Sequence, residues 1–130
     1  MADPKDEITK LPGVKKYYSI GETIVREGDP SEGWFVLLNG KVGAVKKDLS
    51  IVEFSQPGTV FGELGCFLNV PRTATLQALE PTSLLRVGLD LEHLIADHPL
   101  IAKQIILSLA ERVAHTTDAW WVSSREMEKK

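Results

Sequence analysis

A single cysteine, Cys66, is present in 130 residues, so no internal disulfide can brace the chain. A reducing compartment, with the cytoplasm as default, is the simple expectation. No apolar run approaches the ~18 residues that a membrane helix needs. The opening Met-Ala-Asp-Pro-Lys-Asp-Glu is too acidic and polar for a secretory signal. Basic residues are not in excess: 15 Lys and Arg stand against 18 Asp and Glu, a net charge of −3. Without a Lys/Arg stripe, direct nucleic-acid binding is disfavoured. There is no internal repeat, no low-complexity segment, no Gly-x-x-x-x-Gly-Lys loop and no nucleophile elbow.

What remains is an ordinary globular composition, 43% hydrophobic and 25% charged. The length suits one domain, residues 1–130, with a core that needs neither disulfides nor metal. Residues 4–18 read as a short helical lead-in, with Ile8 and Leu11 as its apolar face and Pro12-Gly13 as its stop. Residues 19–88 hold short apolar runs between frequent glycines, the pattern of a sandwich, roll or barrel. Trp34–Leu38, Asn39-Gly40 and Lys41–Lys47 read as a hairpin, because Asn-Gly suits both positive-φ positions of a type I′ turn. In its second strand Val42 and Ala44 share a face. Asp48-Leu49-Ser50 turns the chain into a strand over Ile51–Phe54, which Gln56-Pro57-Gly58 ends. A last strand pair runs through Ala74–Leu79 and Ser83–Val87 around Glu80-Pro81-Thr82.

From residue 90 the apolar period becomes helical. Asp90 can cap Leu91–Ala96, and Pro99 after Asp97-His98 suits the first turn of a second helix. There Ile101, Ile105 and Leu109 recur at i+4, flanked by Ile106 and Val113, and predict an inward stripe.

Residues 61–75, Phe-Gly-Glu-Leu-Gly-Cys-Phe-Leu-Asn-Val-Pro-Arg-Thr-Ala-Thr, carry the chemistry. If the turn after Val60-Phe61 opens a helix, its first N–H groups lack intrahelical partners and favour an anion. Gly62 lets a ligand approach the backbone. Glu63 would repel a phosphate, so its natural guest is a sugar hydroxyl. Arg72 offers a planar fork that can meet two phosphate oxygens. From the residues alone, a structural Glu63–Arg72 ion pair is an equal alternative. Cys66 reads as a small core hydrophobe.

The run resembles the phosphate-binding cassette of the cyclic-nucleotide-binding domain family: Phe-Gly-Glu-Leu, a short helix, then Pro-Arg-x-Ala-Thr, without a gap. The likeness extends over roughly residues 17–113. Tyr18–Glu22 resembles the family's opening strand, Ile24–Asp29 its next turn, and Phe35–Val42 its glycine hairpin. It implies a mainly β fold with flanking helices. The core would be an eight-stranded antiparallel β-roll, akin to a jelly roll, over about 17–89. A short N-terminal helix and C-terminal helices over about 90–122 would flank it. By position, Gly62, Glu63 and Leu64 resemble the family's ribose-binding segment. Arg72 resembles its cyclic-phosphate ligand, and Thr73 and Ala74 its phosphate-contacting turn. Val42, Ala44 and Val52 resemble walls beside the base. In the family the C-terminal helix folds over the pocket, and Trp120-Trp121 are candidates to cap the base, with a dimer contact or helix packing as their alternative. A hydroxyl at Thr73 can hold the amino group of guanine, yet relatives with Ser or Thr there answer to cAMP, so both cAMP and cGMP stay open.

The function implied is a cyclic-nucleotide-binding regulatory module, not an enzyme, with no cofactor beyond its ligand and no metal. It would signal by repositioning its C-terminal helix toward an effector protein or a domain of a larger chain. A homodimer stays open. The family's transcription factors carry a DNA-reading helix-turn-helix after the long helix, and too few residues follow here for one. The chain begins at Met1 and ends in Glu-Lys-Lys, which suits either a free-standing protein or part of a channel, kinase or regulator. A degenerate roll that serves only as an interaction scaffold is the main alternative. A cupin-type metalloenzyme is less favoured, because His93, His98 and His115 all fall in the helical part at spacings that share no helix face. A sensor of another nucleotide is the third.

Overall fold

Residues 34–39 decide the architecture, because four consecutive residues there, Trp34 to Leu37, are buried. A strand apolar on both faces needs packing on each side and hydrogen-bonded neighbours on each edge. The computed structural model describes residues 10–46 and 49–116. Its strands are β1 (Gly13–Tyr18), β2 (Thr23–Val25), β3 (Trp34–Asn39), β4 (Val42–Lys46), β5 (Leu49–Phe54), β6 (Val60–Phe61), β7 (Thr75–Ala78) and β8 (Thr82–Val87). Helix α1 (Glu63–Leu68) lies between β6 and β7, and α2 (Leu91–Asp97) and α3 (Pro99–Thr116) follow β8. The strands form two four-stranded antiparallel sheets, ordered β1-β8-β3-β6 and β2-β7-β4-β5. This is the expected mainly β fold, an eight-stranded roll with flanking helices.

The alternation along β3 divides two cores. Trp34 and Val36 join Leu85 and Val87 against Leu94, Ile101, Ala102 and Ile105 of the C-terminal helices. Phe35 and Leu37 join Leu84, and meet Val42, Ala44 and Leu76 of the other sheet. Trp34 is fully buried, and its indole N–H donates to the Leu89 carbonyl at 2.9 Å, so the largest side chain leaves no polar atom stranded.

The predicted hairpin at Asn39-Gly40 is not one. β3 pairs with β8 and β6, whereas β4 pairs with β5 and β7, so residues 39–41 step from one sheet to the other. Gly40 has φ 108°, while Asn39 is not in the positive-φ region that a type I′ turn requires. The physical reason is the second buried face of β3, which makes it a central strand of its own sheet. The expected pair of residues 74–79 and 83–87 separates likewise, β7 into one sheet and β8 into the other. The two crossings lie together: Lys41 N–H donates to Thr82 Oγ1 at 3.2 Å, and Leu79 N–H to the Lys41 carbonyl at 2.8 Å.

Other expectations are corrected at the ends. Residues 13–18 form β1, paired along their length with β8, and not the end of a helical lead-in. Residues 1–9 and 47–48 lie outside the described residues, and Leu49 and Ser50, expected in a turn, begin β5. Asp90 caps α2, its carboxylate accepting from His93 N–H at 2.8 Å, and Pro99 opens α3. The stripe of α3 is Ile101, Ala102, Ile105 and Leu109, but Ile106 and Val113 are exposed. The buried arc of the helix is therefore narrower than the periodic run.

Candidate functional site

The turn after β6 places Gly62 at the N-cap of α1 with φ 76°. A residue with a β-carbon is strained there, and a Cβ at 62 would stand 2.9 Å from Arg72 Nη1. Glu63, the first helical residue, turns inward and is 1% exposed, while Leu64 beside it is exposed. Phe67 of α1 meets Trp34 edge-on at 6.1 Å, and half-buried Cys66 packs on the same core. Asn69 ends the helix in the left-handed region, its N–H donating to the Gly65 carbonyl.

The chain beyond α1 is tied to the loop before β3. Arg72 N–H donates to the Asp29 carbonyl, and Gly28 N–H to the Arg72 carbonyl, both at 2.8 Å. Ser31 Oγ donates to the Val70 carbonyl at 2.6 Å. These bonds fix the backbone from which the Arg72 side chain runs inward, where it is 6% exposed. Its Nη1 donates to the Gly62 carbonyl at 2.8 Å, and its Nη2 to the carbonyls of Gly33 at 3.0 Å and Glu32 at 3.3 Å. Its guanidinium carbon lies 5.5 Å from the centre of the Phe35 ring.

Among the described residues no carboxylate lies within ion-pair distance of Arg72, and its buried Nε has no hydrogen-bond partner. Burial pushes the guanidinium below its ordinary pKa. Carbonyl dipoles and a ring face surround this buried cation and offset only part of the cost of taking it out of water.

Glu63 does not pair with Arg72. It forms an ion pair with Arg112 of α3, whose side chain is 50% exposed. The structural Glu63–Arg72 pair left open by the sequence is therefore replaced by two separate arrangements. The acid is joined to α3, and the base to the carbonyls of Gly62 in the cassette and of Glu32 and Gly33 before β3. The sequence reading missed Arg112 and Phe35 as neighbours of these charges. Arg112 is 49 residues from Glu63, and no local spacing signals the contact.

The walls named for a base divide by exposure. Val42 and Ala44 are buried in the inner core with Phe61 and Leu76, and Ala74 packs against the same cluster. Val52 is paired directly with Ala44, so both stand on one face, yet Val52 is 50% exposed. The inner face of the second sheet thus runs from closed core to open surface between them. Thr73 is exposed beside Arg72. Trp120 and Trp121 lie outside the described residues. No group of three or more metal-ligating side chains occurs among the described residues, and no helix among them is long and apolar enough to cross a membrane.

Comparison with known proteins matches this arrangement to one family. The profile of the cyclic nucleotide-binding domain covers residues 15–98. The chain is 33% identical over 97 residues to the lysophospholipase NTE1 of Mycosarcoma maydis, covering 72% of this chain and 5% of that protein. It is 30% identical over 105 residues to the CRP-like cAMP-activated global transcriptional regulator of Mycobacterium tuberculosis, covering 75% of this chain and 46% of that one. The chain spans less than half the length of these curated relatives. The crystal structure of the Thermus thermophilus catabolite activator protein superposes with a TM-score of 0.78 at 25% identity, over 92% of this chain and 59% of that one. With the two-sheet roll, the cassette after β6 and a profile that spans most of the chain, this protein belongs to the cyclic nucleotide-binding domain family.

Proposed function

We propose that the chain is a regulatory module that binds cAMP or cGMP in the cassette and reports occupancy through α3. The observation that carries this reading is Arg72, a buried guanidinium beside the N-terminus of α1 with no carboxylate partner among the described residues. The cyclic phosphate supplies the missing negative charge, with Thr73 and Ala74 forming the turn around it. Gly62 and Glu63 receive the ribose hydroxyl, Leu64 continues the turn, and Val42, Ala44 and Val52 border the base. The Thr73 hydroxyl serves guanine directly and does not exclude adenine.

Glu63 supports the output step. Its carboxylate is held by Arg112 of α3, so a hydroxyl donating to Glu63 competes with Arg112 for the carboxylate oxygens in a contact that ties α3 to the cassette. The ligand shifts α3 only to the extent that it binds the two arrangements with different affinity. The relatives include a lysophospholipase and a cAMP-activated transcriptional regulator. The module suits a regulatory part joined to varied effectors, with the single domain of residues 1–130 as its proposed extent. Calorimetric titration with cAMP and with cGMP tests the reading. Saturable heat with at least one is expected, and silence from both at several hundred micromolar, about 4.5–5 kcal/mol of binding free energy, would overturn it.

A further inference from the structure

We propose that a second ligand site lies in the seam between β1 and β2, in a cavity of ≈310 Å³ lined by Lys16, Tyr18, Ile24, Phe35, Arg72 and Arg86. Its ligand is a small phosphate monoester carrying an aromatic or apolar body. β1 is the outermost strand of one sheet and β2 of the other, so the roll is open along this side. Lys16 and Leu37 are both paired opposite Leu84, and Phe35 is paired opposite Arg86. Lys16, Phe35 and Arg86 therefore stand on the face that Leu84 and Leu37 turn toward the inner core. Of the residues assigned to the cyclic nucleotide, Arg72 alone lines the cavity.

The charges give the ligand its chemistry. Arg86 Nη2 donates to the Glu32 carbonyl at 3.2 Å, the same oxygen that Arg72 Nη2 reaches at 3.3 Å. Two guanidinium groups thus converge on one backbone oxygen, with Lys16 as a third cation in the wall. Asp29 and Glu32 also line the cavity, but among the described residues no carboxylate lies within ion-pair distance of Lys16, Arg72 or Arg86. Three cations with no carboxylate in direct contact favour a dianion, and the guanidinium fork fits phosphate oxygens. The Tyr18 hydroxyl adds a polar contact, while Ile24, Val25 and Phe35 offer the apolar wall that a phosphate ester's organic group can fill. Because Arg72 borders both sites, an occupied seam lowers affinity for the cyclic nucleotide, and the reverse holds equally.

Calorimetric titration of phenyl phosphate at fixed ionic strength tests this on the full chain, with Arg86→Gln, Lys16→Gln and Glu63→Gln beside it. Saturable binding is expected for the wild type, weakened about tenfold or more by Arg86→Gln, the scale of a lost charged hydrogen bond. Exposed Lys16 should contribute less, about two- to fivefold. Glu63→Gln should leave phenyl phosphate affinity unchanged, and Arg86→Gln should keep saturable cAMP or cGMP binding wherever the wild type shows it. Should Arg86→Gln fail to fold, Lys16→Gln on the exposed edge strand decides alone. No saturable heat by about 10 mM, beyond useful affinity, overturns the proposal. Unchanged affinity in Arg86→Gln, or a gain in Glu63→Gln, also does, since the probe would then occupy the cassette. Absence of cAMP and cGMP heat in the same preparation counts only against the cassette reading.

Discussion

Arg72 has two tasks that substitution can separate. Its fork gathers the carbonyls of Gly62, Glu32 and Gly33, and the same charge is proposed to meet the cyclic phosphate. Arg72→Ala should lower binding by about 1.5–3 kcal/mol and also lower unfolding free energy, since buried acceptors lose their donor. Arg72→Lys keeps the charge without the fork, so it should recover part of the affinity and little of the stability. Unchanged cyclic-nucleotide affinity in Arg72→Ala, measured by calorimetry, would remove the phosphate assignment. A second pair, Asp90 and His93, makes the cap of α2 sensitive to pH. The hydrogen bonds from His93 hold the Asp90 carboxyl below its ordinary value of 3.8. The bond to Asp90 raises His93 above 6.5. A depressed acid contributes stability that is lost as pH falls through its folded pKa. A raised histidine contributes stability that is lost as pH rises through its own. The cap is therefore firmest between the two, and amide protection across residues 91–94, corrected for intrinsic exchange, should be greater at about pH 5 than at about pH 8. Asp90→Asn should flatten that difference.

At the scale of elements, the corner where two crossings meet holds the sheets in register. Gly40 has φ 108°, and a Cβ there would stand 2.6 Å from the Pro81 carbonyl oxygen, which is fixed backbone. Gly40→Ala should cost at least about 2 kcal/mol of unfolding free energy, from left-handed strain and the clash together. Gly21→Ala is the control, because φ is also positive but nothing lies within 4 Å of its Cβ, so only the strain of about 1–2 kcal/mol is expected. Equal Cm shifts for the two in urea would show that the corner tolerates the contact. Asn-Gly read locally as a hairpin because a two-residue turn is the commonest use of that pair. Its real use was set by β3, whose second buried face already placed it between β8 and β6.

Across the whole molecule, Glu63–Arg112 links the cassette to α3, and its partners are far apart in the chain. Breaking a fully buried pair costs about 3–5 kcal/mol, and half-exposed Arg112 places this one lower, at about 1–3 kcal/mol. Arg112→Gln should therefore destabilise moderately while leaving cyclic-nucleotide binding measurable. Its distinctive effect should fall on the proposed communication with α3. Hydrogen exchange along α3 should respond to ligand in the wild type and respond less in Arg112→Gln. An undiminished response would place the route to α3 elsewhere, for example through the core of Trp34 and Ile101.

The sequence by itself determined which segments are strand or helix over most of residues 19–113, the caps at Asp90 and Pro99, and the cassette with its acid and base. These are local properties: turn chemistry, apolar period and the order of a contiguous motif. Tertiary structure alone decided which strands share a sheet, that residues 13–18 join β8, and that Ile106 and Val113 stay exposed. It also decided that Glu63 and Arg72 do not neutralise each other. Burial leaves each charge to the nearest group that the fold brings in. For Glu63 that is Arg112 on α3, and for Arg72 it is the backbone carbonyls of Gly62, Glu32 and Gly33.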